Sequence, residues 1–164
     1  MKTCKASIVL SVVLLSSPIL VLGQQTSAST GPDPIDRFLG TWQLHMADQP
    51  GVPEREFLTL EQTDVGLKIT HLVAFDNGTV LHYWGVMDPK GGFIQMHETN
   101  GRPMNEEWRI VSVDKDALVI ETRPFGGRER YQLSADGQIM TKHILTATVR
   151  GYPPLPDLIF QKSK

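Results

Sequence analysis

Hydrophobic and polar residues alternate over short stretches of this chain, and turn-forming residues separate the stretches. In residues 41–47, Trp42, Leu44 and Met46 fall on one face of an extended segment. An alternation with a period of two is typical of a β-strand with one buried face. Ten such segments follow one another: residues 41–47, 55–63, 67–75, 79–87, 92–98, 104–113, 118–123, 128–134, 139–149 and 157–161.

The turn signals between these segments predict an all-β fold. Glycine and proline recur too often for an amphipathic helix, and a spacing of roughly 8–12 residues is typical of sandwiches and barrels. Short turns favour pairing between strands that are neighbours in sequence, which makes a meander. A long meander leaves two unpaired edges unless the sheet closes on itself. We therefore predict an up-and-down antiparallel β-barrel of about 8–10 strands, with an open sandwich as the alternative.

The N-terminal residues follow a different pattern. Lys2 and Lys5 precede an apolar run that a Ser-Ser-Pro break interrupts, and the run ends at Gly23. A positive start, an apolar middle and a small residue at the exit predict a secretory signal peptide over residues 1–23, cleaved after Gly23. An N-terminal membrane anchor is the alternative, but the break leaves fewer than the ~20 continuous apolar residues that a transmembrane helix needs.

Cleavage at this position predicts a secreted or periplasmic protein without a stable membrane anchor. Residues 24–35 are rich in Gln, Ser, Thr, Gly and Pro, which is typical of a flexible leader. One domain over residues 36–164 would follow. The only cysteine, Cys4, lies in the signal peptide, so the mature domain would have no disulfide and no cysteine-ligated zinc. Its hydrophobic core would have to hold it together, which its length permits.

The charge balance argues against a nucleic-acid partner. The full chain has 16 basic and 18 acidic residues, a net charge of -2. Cleavage would remove Lys2 and Lys5 and no acidic residue, which leaves 14 basic and 18 acidic residues and a net charge of -4. A strongly basic nucleic-acid binder is therefore not expected. The chain has no Gly-x-Ser-x-Gly elbow, P-loop or Rossmann fingerprint, and we predict no cofactor.

The start of the predicted domain, FLGTWQL over residues 38–44, resembles the Gly-x-Trp start of lipocalins and their barrel relatives. In that family the glycine lets the chain enter the first strand, and the tryptophan plugs the closed end of the barrel. A late basic residue covers this tryptophan, and Arg150 is the candidate here. Residues 108–110 and 134–138 resemble strand and hairpin segments of small secreted bacterial lipocalin-like domains. The resemblance implies a lipocalin-like barrel over residues 36–164 and, more loosely, a ligand cavity.

Candidate site residues come from the hairpin that Asn77-Gly78 predicts, because this dipeptide is the strongest signal for a two-residue turn. Such a loop pairs Val73 with His82 and His71 with Trp84, and paired residues share a face. The face that results carries Ile69, His71, Val73, Phe75, Val80, His82, Trp84 and Val86. It is the more apolar and aromatic of the two faces, so we expect it to line the barrel interior.

The position of His97 depends on the length of the next loop. A four-residue loop at residues 88–91 places His97 opposite His82 on the inner face, whereas a five-residue loop places it outside. Three imidazoles that converge inside a barrel would suggest a zinc-type site. The alternative is that they are core or cavity histidines bonded to polar neighbours or water.

Two functions follow from this pattern. The first is a secreted or periplasmic lipocalin-like protein that binds a small, largely apolar molecule in the barrel interior. Its predicted ligand-binding residues are His71, His82, Trp84, Val73, Phe75 and Phe93. The second is a barrel enzyme or metal-binding protein that uses His71, His82 and His97. A third class, an interaction module without a ligand, rests on the proline-rich residues 152–156.

Overall fold

Ten antiparallel strands close into a single barrel. A computed structural model describes residues 33–45, 53–88, 90–124, 127–146 and 156–164. The strands are β1 (Gly40–Leu44), β2 (Arg55–Thr63), β3 (Gly66–Ala74), β4 (Val80–Met87), β5 (Ile94–Glu98), β6 (Pro103–Val113), β7 (Ala117–Arg123), β8 (Arg128–Leu133), β9 (Ile139–Thr146) and β10 (Leu158–Lys162). Each strand pairs with its neighbours in sequence, and β10 pairs with β1. The predicted all-β, up-and-down barrel is confirmed, and the sandwich alternative is wrong.

The hydrophobic core fills the barrel between its walls. Every second residue of a strand points inward, as in β2, where Leu58 and Leu60 are buried. The same alternation buries Ile69 on β3 and Leu118 and Ile120 on β7. In the described part of the chain, no helix has the length and hydropathy that crossing a membrane requires.

A single-turn 3-10 helix, Pro34–Phe38, covers one end of the barrel, which we call the closed end. Ile35, predicted as the last leader residue, is buried there together with Phe38. Arg37 pairs with Asp116 and donates hydrogen bonds to the carbonyl oxygens of Lys115, Ser134 and Ala135. These contacts fasten the helix to the β6–β7 and β8–β9 turns. The opposite end, where β2 begins and β3 ends, is the open end.

Trp42 is fully buried at the closed end. Its indole N–H donates to the carbonyl oxygen of Phe38 at 2.8 Å. Gly40 enters β1 with φ of +120°, a conformation that side chains disfavour. A cation does cover the tryptophan ring, but it is Lys162, whose Nζ lies 5.1 Å from the ring centroid. Arg150, the residue suggested for this position, lies outside the described residues.

The hairpin between β3 and β4 is longer than predicted. The amide of Phe75 donates to the carbonyl of Thr79, and the amide of Gly78 donates to the carbonyl of Phe75. The loop therefore has three residues, Asp76, Asn77 and Gly78. Gly78 has φ of +81°, the left-handed conformation that such a loop needs at its last position. The predicted two-residue turn is wrong because the Asn-Gly pair serves the longer loop.

One extra loop residue reverses the two faces of β4. His71 pairs with Tyr83 instead of Trp84, and Val73 pairs with Leu81 instead of His82. Tyr83 is buried inside the barrel. The predicted inward positions of Val80, His82, Trp84 and Val86 are wrong, because these four residues alternate with Leu81, Tyr83, Gly85 and Met87 on the other face.

His97 and Phe93 also lie on the outer side of the barrel. His97 pairs with Trp84, and their rings stack with centroids 5.2 Å apart. The interior position that a four-residue loop would give His97 is therefore wrong. Phe93 lies against two arginines of the outer face, with its ring centroid 4.6 Å from the guanidinium carbon of Arg109 and 3.7 Å from that of Arg123.

Several sequence predictions concern residues that the structure does not describe. The predicted signal peptide, residues 1–23, lies outside the described residues, and so do residues 24–32 of the predicted leader. The same holds for residues 152–155 of the proline-rich segment. These assignments stay predictions.

Candidate functional site

A cavity of about 240 Å³ lies at the open end of the barrel. Apolar side chains form its wall and ionisable or hydrogen-bonding side chains form its floor. The wall consists of Pro53, Val73, Phe75, Leu81, Ile144, Pro156 and Leu158, and the floor of Glu56, His71, Tyr83, Glu129 and Lys142. We call the second group the polar floor.

Strand register brings the polar floor together. On one side, His71 of β3 pairs with Tyr83 of β4 and with Leu58 of β2, so it points inward with them. Glu56 precedes Leu58 by two residues and shares its face. On the other side, Lys142 of β9 pairs with the buried Tyr131 of β8. Five strands, β2, β3, β4, β8 and β9, thus deliver polar side chains to the same end of the barrel interior.

A hydrogen-bonded chain runs through the polar floor. The ammonium of Lys142 donates to Oε1 of Glu56 at 2.8 Å, and Nε2 of His71 lies 2.6 Å from the same oxygen. The hydroxyl of Tyr83 lies 2.5 Å from Nδ1 of His71. Glu56, His71 and Lys142 are only 2%, 4% and 5% exposed. Their polar atoms therefore satisfy one another, as buried polar groups must.

The charge of Glu56 sets the direction of these hydrogen bonds. Burial alone would raise the pKa of this carboxyl, but the Lys142 ammonium and the His71 hydrogen bond outweigh it and lower the pKa to about 2. An ionised carboxylate can only accept, so Nε2 of His71 carries a proton and donates it. In the neutral imidazole, Nδ1 then accepts from the Tyr83 hydroxyl. Burial and the nearby carboxylates of Glu106, Glu129 and Glu56 raise the pKa of Tyr83, so its hydroxyl keeps its proton.

A second carboxylate, Glu129, shares the Lys142 ammonium. Oε1 of Glu129 lies 4.0 Å from Nζ of Lys142, and Oε2 accepts a hydrogen bond from the Tyr131 hydroxyl at 2.6 Å. Burial alone would lower the pKa of Lys142, but Glu129 and Glu56 raise it overall. Burial and then Glu129 likewise raise the pKa of Tyr131. The floor thus holds one ammonium between two carboxylates.

The order of Glu56, His71 and Tyr83 resembles the arrangement of a base-activated hydroxyl. A hydroxyl bonded to an imidazole that a carboxylate orients is the general signature of such a nucleophile. The raised pKa of Tyr83 opposes that role, because it disfavours the phenolate. The arrangement is better suited to presenting fixed donors and acceptors than to forming a nucleophile.

The cavity contains half of the ligand-binding residues that the sequence predicts. His71, Val73 and Phe75 line it. His82 and Trp84 do not, because they lie on the outward face of β4, and Phe93 lies outside the barrel against Arg109 and Arg123. Whether any of the six binds a ligand stays a prediction.

Sequence reasoning missed four members of the polar floor: Glu56, Tyr83, Glu129 and Lys142. A signal for two of them exists. Glu56 continues the inward series of Leu58 and Leu60, and Lys142 follows Met140 by two residues on β9. A charged residue in register with buried apolar residues indicates a buried polar site.

The three candidate histidines of the alternative function do not converge. His71 lies inside the barrel, whereas His82 and His97 belong to its outer face. Within the described ranges, no group of three or more His, Cys, Asp or Glu side chains is arranged to hold a metal ion. The alternative function that relied on three converging imidazoles loses its basis.

Replacement of Lys142 tests the buried ion pair. We expect Lys142→Met to lower the free energy of unfolding by about 3–5 kcal/mol, because it leaves Glu56 buried without its cation. Lys68→Met is the matched control, since Lys68 forms an exposed 3.1 Å pair with Glu61, and such pairs contribute at most about 1 kcal/mol. Urea unfolding at pH 7 measures both, and equal losses would contradict the assignment.

Glu56 should also make stability depend on pH. Its pKa falls from 4.5 to about 2 on folding, so its contribution is complete above pH 4.5 and is lost as the pH falls toward 2. The linkage relation gives a loss of about 2 kcal/mol between pH 7 and pH 3. We expect the stability difference between the unaltered protein and Glu56→Gln to shrink by that amount in urea unfolding. Glu61→Gln, at an exposed carboxylate that pairs with Lys68, is the surface control, and a constant difference for Glu56→Gln would refute the prediction.

Comparison with known proteins found no relative: no family model, curated protein or solved structure matches the chain. The closed ten-stranded antiparallel barrel is compatible with a lipocalin-like fold. The functional argument therefore depends on the cavity and its polar floor.

Proposed function

We propose that this chain is a lipocalin-like protein that binds a small, largely apolar molecule in the cavity at the open end. The observation that carries the proposal is the combination of an apolar wall with a fixed polar floor. Small-molecule sites are typically concave and mostly apolar, with a few placed polar groups that orient the ligand. The volume of about 240 Å³ is below the range of ~300–1,000 Å³ for drug-sized ligands, which favours a compact molecule.

The position of the polar floor supports binding over a purely structural role. A buried ion pair is weak support for stability, because desolvation offsets most of the attraction between the charges. Between this cavity and the closed end, the barrel interior is filled by apolar and aromatic residues such as Phe38, Trp42 and Phe160. Buried Glu56, His71 and Lys142 instead border the cavity. Their place beside empty space is what a ligand site needs.

Export is the second part of the proposal, and the charged start and apolar run of residues 1–23 support it. When the full-length chain is expressed in a bacterial host, we expect a secreted or periplasmic product that begins at Gln24. Intact-mass measurement of that product tests the cleavage site. A chain that keeps Met1 and stays with the membrane fraction would instead favour the N-terminal anchor.

A neutral probe tests the cavity itself. We expect 2-phenylethanol, one ring with a short polar tail, to shift the NMR signals of Val73, Ile144 and Leu158. Ile144→Trp should weaken binding by about tenfold or more, because the indole would fill the cavity.

Leu145→Trp provides the matched control, because Leu145 is the next residue of β9 and is exposed on its outer face. The same new side chain then lies outside the barrel, and we expect an unchanged affinity. NMR shifts centred on Trp84 and Phe93, or equal effects of Ile144→Trp and Leu145→Trp on the affinity, would argue against this cavity.

A further inference from the structure

We propose that the cavity takes an organic cation, a compact amine whose ammonium binds Glu129 while its apolar body lies against the wall. The inference rests on the proposed function, since it names the class of molecule that the same cavity binds. It follows from the charges of the floor, from the contacts that already occupy Lys142, and from the position of Glu129.

Around the cavity at the open end, the barrel interior has more negatively charged than positively charged side chains. Glu56, Glu129 and Lys142 line the cavity. Glu106 lies on the same face of β6 as the buried Trp108, whose indole donates to it at 3.2 Å, and its charge acts on Tyr83. Three carboxylates and one ammonium give these four side chains a formal charge of -2. In an interior of low dielectric, a bound cation would offset part of that charge, whereas a bound anion would add to it.

Lys142 is already committed to the protein's own carboxylates. Its ammonium donates to Glu56 at 2.8 Å and lies 4.0 Å from Glu129. The side chain is almost fully buried beneath the cavity. A ligand carboxylate would have to compete with Glu56 for this ammonium and would lie close to the charge of Glu129. The floor is therefore unsuited to an acidic ligand.

Glu129 is the carboxylate with capacity for a ligand. Its side chain is 18% exposed, against 2% for that of Glu56. Oε2 accepts from Tyr131, while the 4.0 Å from Oε1 to Lys142 is too long for a hydrogen bond. A carboxylate has about four acceptor positions. An ammonium at Oε1 would form a charge-assisted hydrogen bond, and Ile144, which pairs with Glu129, would contact the apolar part of the ligand.

Three probes with the same aromatic body separate the effect of charge from that of shape. At pH 7, 2-phenylethylamine is a cation, 2-phenylethanol is neutral and 3-phenylpropanoate is an anion. Titrations followed by NMR or calorimetry should show the amine binding about tenfold or more tightly than the alcohol. The carboxylate should bind most weakly.

Glu129→Gln removes the charge and keeps an acceptor for the Tyr131 hydroxyl. It should weaken amine binding by about tenfold more than it weakens alcohol binding. Glu107→Gln is the control, because Glu107 is exposed on the outer face of β6 and its loss changes the net charge equally. We expect no change in amine affinity for that variant.

Each result supports or overturns the inference. Equal binding of amine and alcohol, or an amine preference that survives Glu129→Gln, overturns the amine class while the cavity remains a binding site. Tightest binding of 3-phenylpropanoate would show that Lys142 holds the polar group and would also overturn it. If none of the three probes binds, the proposed function itself fails. Should Glu129→Gln not fold, the probe series on the unaltered protein decides.

Discussion

The ion pair between Lys142 and Glu56 is the contact on which the site depends. It joins β9 to β2 across the barrel interior, between residues 86 positions apart in sequence. The cation keeps Glu56 ionised despite burial. The ionised carboxylate then fixes the orientation of His71, and His71 holds Tyr83. A change of charge at Lys142 would thus propagate through three other side chains.

The strands could be predicted because the signals for them are local. Alternation and turn residues mark each strand of a meander, and closure follows from the need to pair its edges. The facing of β4 could not be predicted, because Asp76-Asn77-Gly78 suits both a two-residue and a three-residue loop. Both faces of β4 also carry an aromatic residue, Tyr83 on one and Trp84 on the other. Counting apolar residues favoured the wrong face.

Contacts with β5 help to explain which face of β4 points into the barrel. Gly85 points inward, and a Cβ atom there would lie 2.6 Å from Cδ1 of Ile94 and from Sδ of Met96. The missing side chain leaves room for these two residues inside the barrel. Trp84 meanwhile lies outside, where His97 stacks on its ring. This fit involves a strand whose own pairing has a bulge near His97, so the hairpin sequence alone could not reveal it.

The same limit explains which site residues could be predicted. His71 and Val73 belong to β3, and which of its faces points inward does not depend on the length of the loop between β3 and β4. Glu56 and Lys142, in contrast, meet only when the barrel closes. A charged side chain is almost never fully buried unless it is paired, and the local sequence does not show its partner. Here the protein's own partners satisfy it, and that has a functional consequence. Because one Lys142 ammonium serves two carboxylates, Glu56 and Glu129, a ligand need not supply an anion, and the negative charge that remains would determine which molecules the cavity accepts.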